Sequence, residues 1–347
     1  MALYGPIITE VAKSYPHKIS YLTSDHNDPL LNKSSDFLNV FCIGQGTVCT
    51  IAFKTIETRM MVLTLLDLET FHLKRSVSKV HYTYLFHSLA STHAAFREYA
   101  HHHYDTVLTP GPMYSKEIRE FERVYQLKPK NVLEGGYCRL DTLLEAAEKV
   151  PQVDYDVVTK NLVIAPSWGA GSISNNCAEE LIQSLLSSGN NVIFRPHPMS
   201  FNSDPGLIEG INKKFENHKN YIFEGNLNST SSYDTAHAVI TDWSGAAYEF
   251  AFSYERPILF INTPRKINNP NYQKINLEPI EVFGRDRIGK AIEMDEVRNA
   301  NAHIDELFLG IEKKREEIII FGKELISHHG KSAEVSAKKI LQIFNGL

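Results

Sequence analysis

Cysteine is scarce in this chain, with four in 347 residues. They stand at Cys42, Cys49, Cys138 and Cys177, never in a CxxC spacing. A disulfide framework and a cysteine-built zinc site are thereby excluded, and all four are expected to be reduced. No uninterrupted apolar run approaches the ~20 residues of a spanning helix. The N-terminus lacks the basic and apolar regions of a secretory leader. The expectation is a cytoplasmic protein without a transmembrane segment. Neither sign of charge dominates, since 36 Lys+Arg against 41 Asp+Glu leave a formal net charge of −5. That balance gives no whole-chain attraction to nucleic acid or to an anionic bilayer. Internal repeats are absent, and no carboxylate cluster resembles a Mg²⁺ site, so no metal and no cofactor are expected.

What is present is the composition of an ordinary globular protein, 43% hydrophobic and 22% charged. The length suits two domains of ~150–170 residues each. Short apolar runs alternate with helical patterns, which predicts parallel βαβ units. Strands are predicted over 17–24, 37–43, 60–66, 80–86, 104–109 and 132–137. The proline-broken, acidic stretch 150–156 marks the domain boundary, and strands resume at 161–165, 191–194, 221–223, 238–241 and 257–261. Helices are predicted over 1–16, 94–103, 116–125, 141–149, 177–187, 208–217 and 245–252, and over most of the chain after Asp295. The organisation expected is an N-terminal Rossmann-like domain over 1–155, a C-terminal nucleotide-binding one over 156–310, and helices over 311–347 packing back across both.

Several strand ends break into polar, phosphate-friendly residues, as parallel strands do where they deliver ligand loops. Arg195-Pro-His197-Pro offers a cation and an imidazole on a proline-stiffened turn; a carboxylate partner for Arg195 and a capping role for His197 are the plainer alternatives. Thr241-Asp-Trp-Ser-Gly-Ala-Ala is a strand-to-helix turn. The Ser244 hydroxyl and the amides of Gly245 and Ala246 would hold an anion there, with Asp242 orienting the loop. Ser167-Trp-Gly-Ala-Gly-Ser is a third loop of this kind, able to bring backbone close to a ligand. In the N-terminal half, the run after 80–86 stops at His87-Ser-Leu-Ala-Ser-Thr-His93, making His87 the candidate base and His93 a weaker one. Gly44-Gln-Gly46 lacks the third glycine of a dinucleotide fingerprint and reads as a turn. His101-His-His103 and His328-His329 read as solvated surface runs.

Taken together, His87-Ser-Leu, Tyr104-Asp-Thr-Val-Leu, Gly136-Tyr-Cys-Arg-Leu-Asp141, Ala165-Pro-Ser-Trp168, Arg195-Pro-His-Pro198, Thr241-Asp-Trp-Ser244 and Gly330-Lys-Ser332 resemble the CDP-glycerol:poly(glycerophosphate) glycerophosphotransferases of teichoic-acid and capsule synthesis. The resemblance runs from about Val80 to the C-terminus. It implies an α/β, GT-B fold of two Rossmann-like domains facing a cleft, with His87 and His197 as the two family histidines. Arg195, Thr241, Asp242, Ser244, Gly245, Ala246 and Ser167 would bind the donor diphosphate. It also implies transfer of glycerol or ribitol phosphate from a CDP-linked donor to a hydroxyl of a membrane-linked or polymeric glycan, with release of CMP. Peripheral association with the inner face of the membrane would follow from such an acceptor. Ser88 stands where the family has glycine and Cys138 where it has proline. The family's membrane-binding extension is not evident. Competing functions are a GT-B glycosyltransferase using a nucleotide sugar and a catalytically dead binding module. A UDP-sugar 2-epimerase would need paired carboxylates, which the sequence does not reveal.

Overall fold

The computed structural model describes residues 4–32, 35–71, 73–226 and 230–347. In the C-terminal half, β7 (Asn161–Ile164), β8 (Asn191–Phe194), β9 (Tyr221–Phe223), β10 (Ala238–Thr241), β11 (Ile258–Asn262) and β12 (Gly289–Glu293) pair in parallel in the order β12-β11-β10-β7-β8-β9. The near-continuous apolar sequences of β7, β8, β10 and β11 follow from burial on both faces. Strand order reverses between β7 and β10, so the loops leaving those strands diverge and open a crevice between them.

The N-terminal half contains a parallel sheet of β3 (Met60–Leu63), β4 (His81–Leu85), β5 (Thr106–Thr109) and β6 (Asn131–Glu134), with β1 (Ile19–Thr23) and β2 (Leu38–Cys42) as a separate parallel pair. Gly44 and Gly46, at φ +71° and +60°, make the turn into the helix Gly46–Thr55. The chain returns at its end: the helix Ser332–Gly346 packs on the helices Tyr4–Ala12 and Cys138–Ala147. Ser336 Oγ donates to Gly135 O at 3.0 Å, and the Ala333 amide donates to Asp141 at 2.8 Å. Ile7, Val11, Leu85, Leu108, Ala337 and Ile340 form one apolar cluster, which closes the outer face of the N-terminal sheet.

Two local expectations fail. Residues 94–103 form turns rather than a helix, and His101 is 4% exposed. Its ring stacks on Phe86 at 5.8 Å and meets Tyr84 edge-on at 4.7 Å. The three histidines are therefore not a solvated run; His101 is part of the core under the β4 loop. The strand β12 was also missed. Its sequence, Gly-Lys-Ala-Ile-Glu, carries an edge strand's mixed polarity, and its glycine is needed because a Cβ at 289 would lie 1.9 Å from the Ile258 carbonyl.

Candidate active site

Asp242, 1% exposed at the end of β10, ties the crevice together. Its Oδ1 accepts from the amides of Ser167 at 2.8 Å and Trp243 at 2.6 Å, and its Oδ2 accepts from Ile173 at 2.7 Å. Thr241 donates its hydroxyl to Ala165 O at 2.5 Å. Both side chains are thus occupied in shaping the β7 and β10 loops, with Asp242 orienting the loop as the sequence suggested. Ser167 differs: its hydroxyl is buried and has no partner among the described residues. A buried donor without a partner costs about 1–3 kcal/mol, so its retention favours a ligand role. Gly169, at φ +93°, allows the loop to turn back there.

Ser244 accepts from the Ala246 amide at 3.3 Å, just before the helix Ala246–Tyr254. The expectation of a free amide at Ala246 is corrected to that extent. The neighbouring Gly245 meets the other half of the molecule. A Cβ there would lie 2.8 Å from Ser88 Oγ and 3.1 Å from Leu89 O. The His87-Ser88-Leu89 loop therefore seats directly on the anion-friendly turn, and the absent side chain at 245 leaves room for the Ser88 hydroxyl.

His87 is half-buried at the end of β4, its Nδ1 3.0 Å from the Tyr84 hydroxyl. Burial lowers its pKa, opposed by the Thr64 backbone and by the Glu249 carboxylate. His93 sits elsewhere. Fully buried, it lies 3.1 Å from Glu117 and 3.0 Å from Leu277 O. Glu117 also accepts from the Thr92 amide and hydroxyl, and Glu281 accepts from the Ser91 amide. These two carboxylates clamp the loop between the halves.

His197 Nδ1 accepts from the Met199 amide at 3.1 Å, so the neutral ring carries its proton on Nε2 and presents a donor. Burial and then the Lys266 charge lower its pKa to about 4. The capping alternative is thus true of one nitrogen and leaves the other available. Arg195 departs from expectation. It is 7% exposed, paired with Glu224, 3.4 Å from Ser232 Oγ and 4.9 Å from the Tyr233 ring centroid. Its guanidinium anchors the base of the His197 loop rather than standing free over an anion.

One cation beside these loops was missed by sequence reasoning. Lys266, in the irregular segment after β11, places Nζ 3.7 Å from the Trp168 ring centroid and 3.1 Å from the Trp168 carbonyl. Burial lowers its pKa to about 8, with Asp242 opposing. Arg265 and Arg285 lie over the Trp243 ring at 5.8 and 4.3 Å. The chain's two tryptophans thus both carry cations at the crevice. No motif signals a lysine in an Asn/Pro-rich loop; only the fold brings it there. Among the described residues no group of three or more His, Cys, Asp or Glu is arranged to hold a metal ion, and no helix is long and apolar enough to cross a membrane.

Parallel sheets in both halves, with a histidine just past a strand end of one and a polar turn at the switch point of the other, make a fold of GT-B type. The family follows from residues 68–266, which match the model for CDP-glycerol:poly(glycerophosphate) glycerophosphotransferases, and the chain belongs to that family of enzymes. Solved structures with the same fold include the wall teichoic acid polymerase TagF, at TM-score 0.62 and 15% identity over 98% of this chain and 84% of that one. The MnaA–UDP structure from S. aureus has TM-score 0.60 and 12% identity over 98% and 91%. The UDP-GlcNAc 2-epimerase of Methanocaldococcus jannaschii, in complex with UDP-GlcNAc and UDP, has TM-score 0.56 and 14% identity over 100% and 96%. No curated protein sequence matches the chain.

Proposed function

We propose that the protein transfers an alditol phosphate, glycerol phosphate in the first instance, from a CDP-linked donor to a hydroxyl of a polymeric or lipid-linked acceptor in teichoic-acid or related surface-polymer synthesis. The observation that carries this reading is the seating of Ser88 and Leu89, the residues that follow His87, on Gly245 of the turn after β10. The acceptor oxygen attacks the distal phosphorus of the donor, the bond from that phosphorus to the bridging oxygen breaks, and CMP departs. The acceptor proton passes to His87. In the tautomer that donates Nδ1–H to Tyr84, Nε2 keeps its lone pair for this task. His197 Nε2–H, the Ser167 and Ser244 hydroxyls and Lys266 supply preorganised donors to the charge that builds on the diphosphate. Asp242, Thr241 and Arg195 hold their loops.

No step in this scheme requires a metal ion, and metal independence is part of the proposal, as is action at the inner face of the membrane. The test is thermal stabilisation against CDP, CMP, UDP, GDP and ADP, with and without EDTA. At a hundredfold excess over Kd a native-state ligand adds about 2.7 kcal/mol. Stabilisation by CDP, unaffected by EDTA, supports the reading; preference for UDP or GDP transfers it to a sugar-nucleotide transferase.

A further inference from the structure

Glu249 lies in the first turn of the helix Ala246–Tyr254, four residues after Gly245 and so on the same face. It is 7% exposed. From the N-terminal half, Tyr137 donates its hydroxyl to Glu249 Oε1 at 2.5 Å, and Arg139 Nε donates to Oε2 at 2.8 Å. The same Tyr137 hydroxyl lies 3.1 Å from the His87 carbonyl oxygen. Tyr137 and Arg139 sit at the start of the helix Cys138–Ala147, which packs against the helix bearing Glu249. One carboxylate, rooted next to the anion-friendly turn, thus receives both polar groups that reach across from beside the His87 loop.

We infer that Glu249 is a positioning residue: through Tyr137 and Arg139 it fixes the His87 loop of one half against the donor-binding turn of the other. This rests on the reading of His87 as the base and adds what holds that base in register with the donor. Glu281 and Leu277 hold the far end of this loop, at Ser91 and His93; the two directional bonds to Glu249 act beside its His87 end. The groups facing His87 are the Tyr84 hydroxyl, the Thr64 backbone, Phe96 and, behind Tyr84 and Phe96, His101, which burial keeps neutral with a pKa of about 3. Glu249, itself paired with Arg139, is the one carboxylate whose charge raises the His87 pKa. It therefore favours the imidazolium that forms as the acceptor proton is taken.

Glu249→Gln keeps an acceptor for Tyr137 and removes the charge. The expected result is a kcat about ten- to a hundredfold lower, as a misplaced catalytic group gives, with CDP affinity within about twofold of the native protein. The His87 ring, followed by NMR of histidine-labelled protein, should titrate at lower pH. Tyr137→Phe removes the hydroxyl that touches both Glu249 and the His87 loop, and should lower kcat with CDP affinity kept even if the first variant folds poorly. An unmoved or upward His87 titration in Glu249→Gln, or an unchanged kcat in Tyr137→Phe, overturns the inference. The titration is read without turnover, so its outcome is separate from His87→Ala, which tests the base assignment itself.

Discussion

Asp242 and Ser167 are joined across the strand-order switch: the aspartate at the end of β10 accepts from the backbone amide that opens the β7 loop, at 2.8 Å. With the bonds from Ile173 and Trp243, this makes Asp242 a three-amide clamp on a loop whose own hydroxyl, Ser167 Oγ, is buried without a partner among the described residues. Asp242→Asn turns one acceptor into a donor facing backbone N–H groups. It should cost about 1–3 kcal/mol of stability by chemical denaturation and weaken CDP binding at the same time. Loss of CDP binding with native stability would instead place Asp242 on the ligand.

His87→Ala should lower kcat about 10²–10⁴-fold, the range for loss of a general base, with the Kd for CDP nearly unchanged by calorimetry. A parallel fall in CDP affinity would make His87 a donor ligand instead.

Donor binding through Lys266 should depend on alkaline pH. Its pKa is lowered to about 8 by burial, so in the free protein it carries charge below that value and loses it above. CDP affinity should decline as pH rises through about 8. Lys266→Arg should flatten that decline, because guanidinium stays charged, and Lys266→Ala should weaken binding at neutral pH. A flat native profile from pH 7 to 9 would remove Lys266 from the site.

Acid should destabilise the fold through buried neutral histidines. Burial lowers His101 from 6.5 to about 3 and His102 to about 4. The unfolded chain then takes up protons that the native state refuses. Stability is full above about pH 7 and falls as pH drops through 6.5 toward 4. His101→Phe, placed among Phe86, Phe96 and Tyr84, should reduce the fall in Tm between pH 7 and pH 5.

The parallel sheets were legible because strands buried on both faces are written as unbroken apolar runs, as in Val192-Ile-Phe and Val239-Ile. The loops that end them stood out by their abrupt polarity. The roles inside those loops were less visible. Arg195 reads in sequence as an anion ligand, and only the return of β9 brings Glu224 to it. Residues 94–103 have helix-forming composition, yet burial of His101 against Tyr84 and packing of Asn268 and Asn269 on the Ala94 and His93 carbonyls hold them in turns. Lys266 and Glu249 became functional candidates through contacts made between distant parts of the chain, which no local motif encodes.

Product analysis tests the central claim most directly: the protein, CDP-glycerol and a poly(glycerol phosphate) primer, with cytidine products separated by chromatography and new phosphorus linkages followed by ³¹P NMR. The account predicts CMP and new phosphodiester in equal amounts, with and without EDTA. Release of CDP, or no cytidine product from a protein that binds UDP in preference, would contradict it.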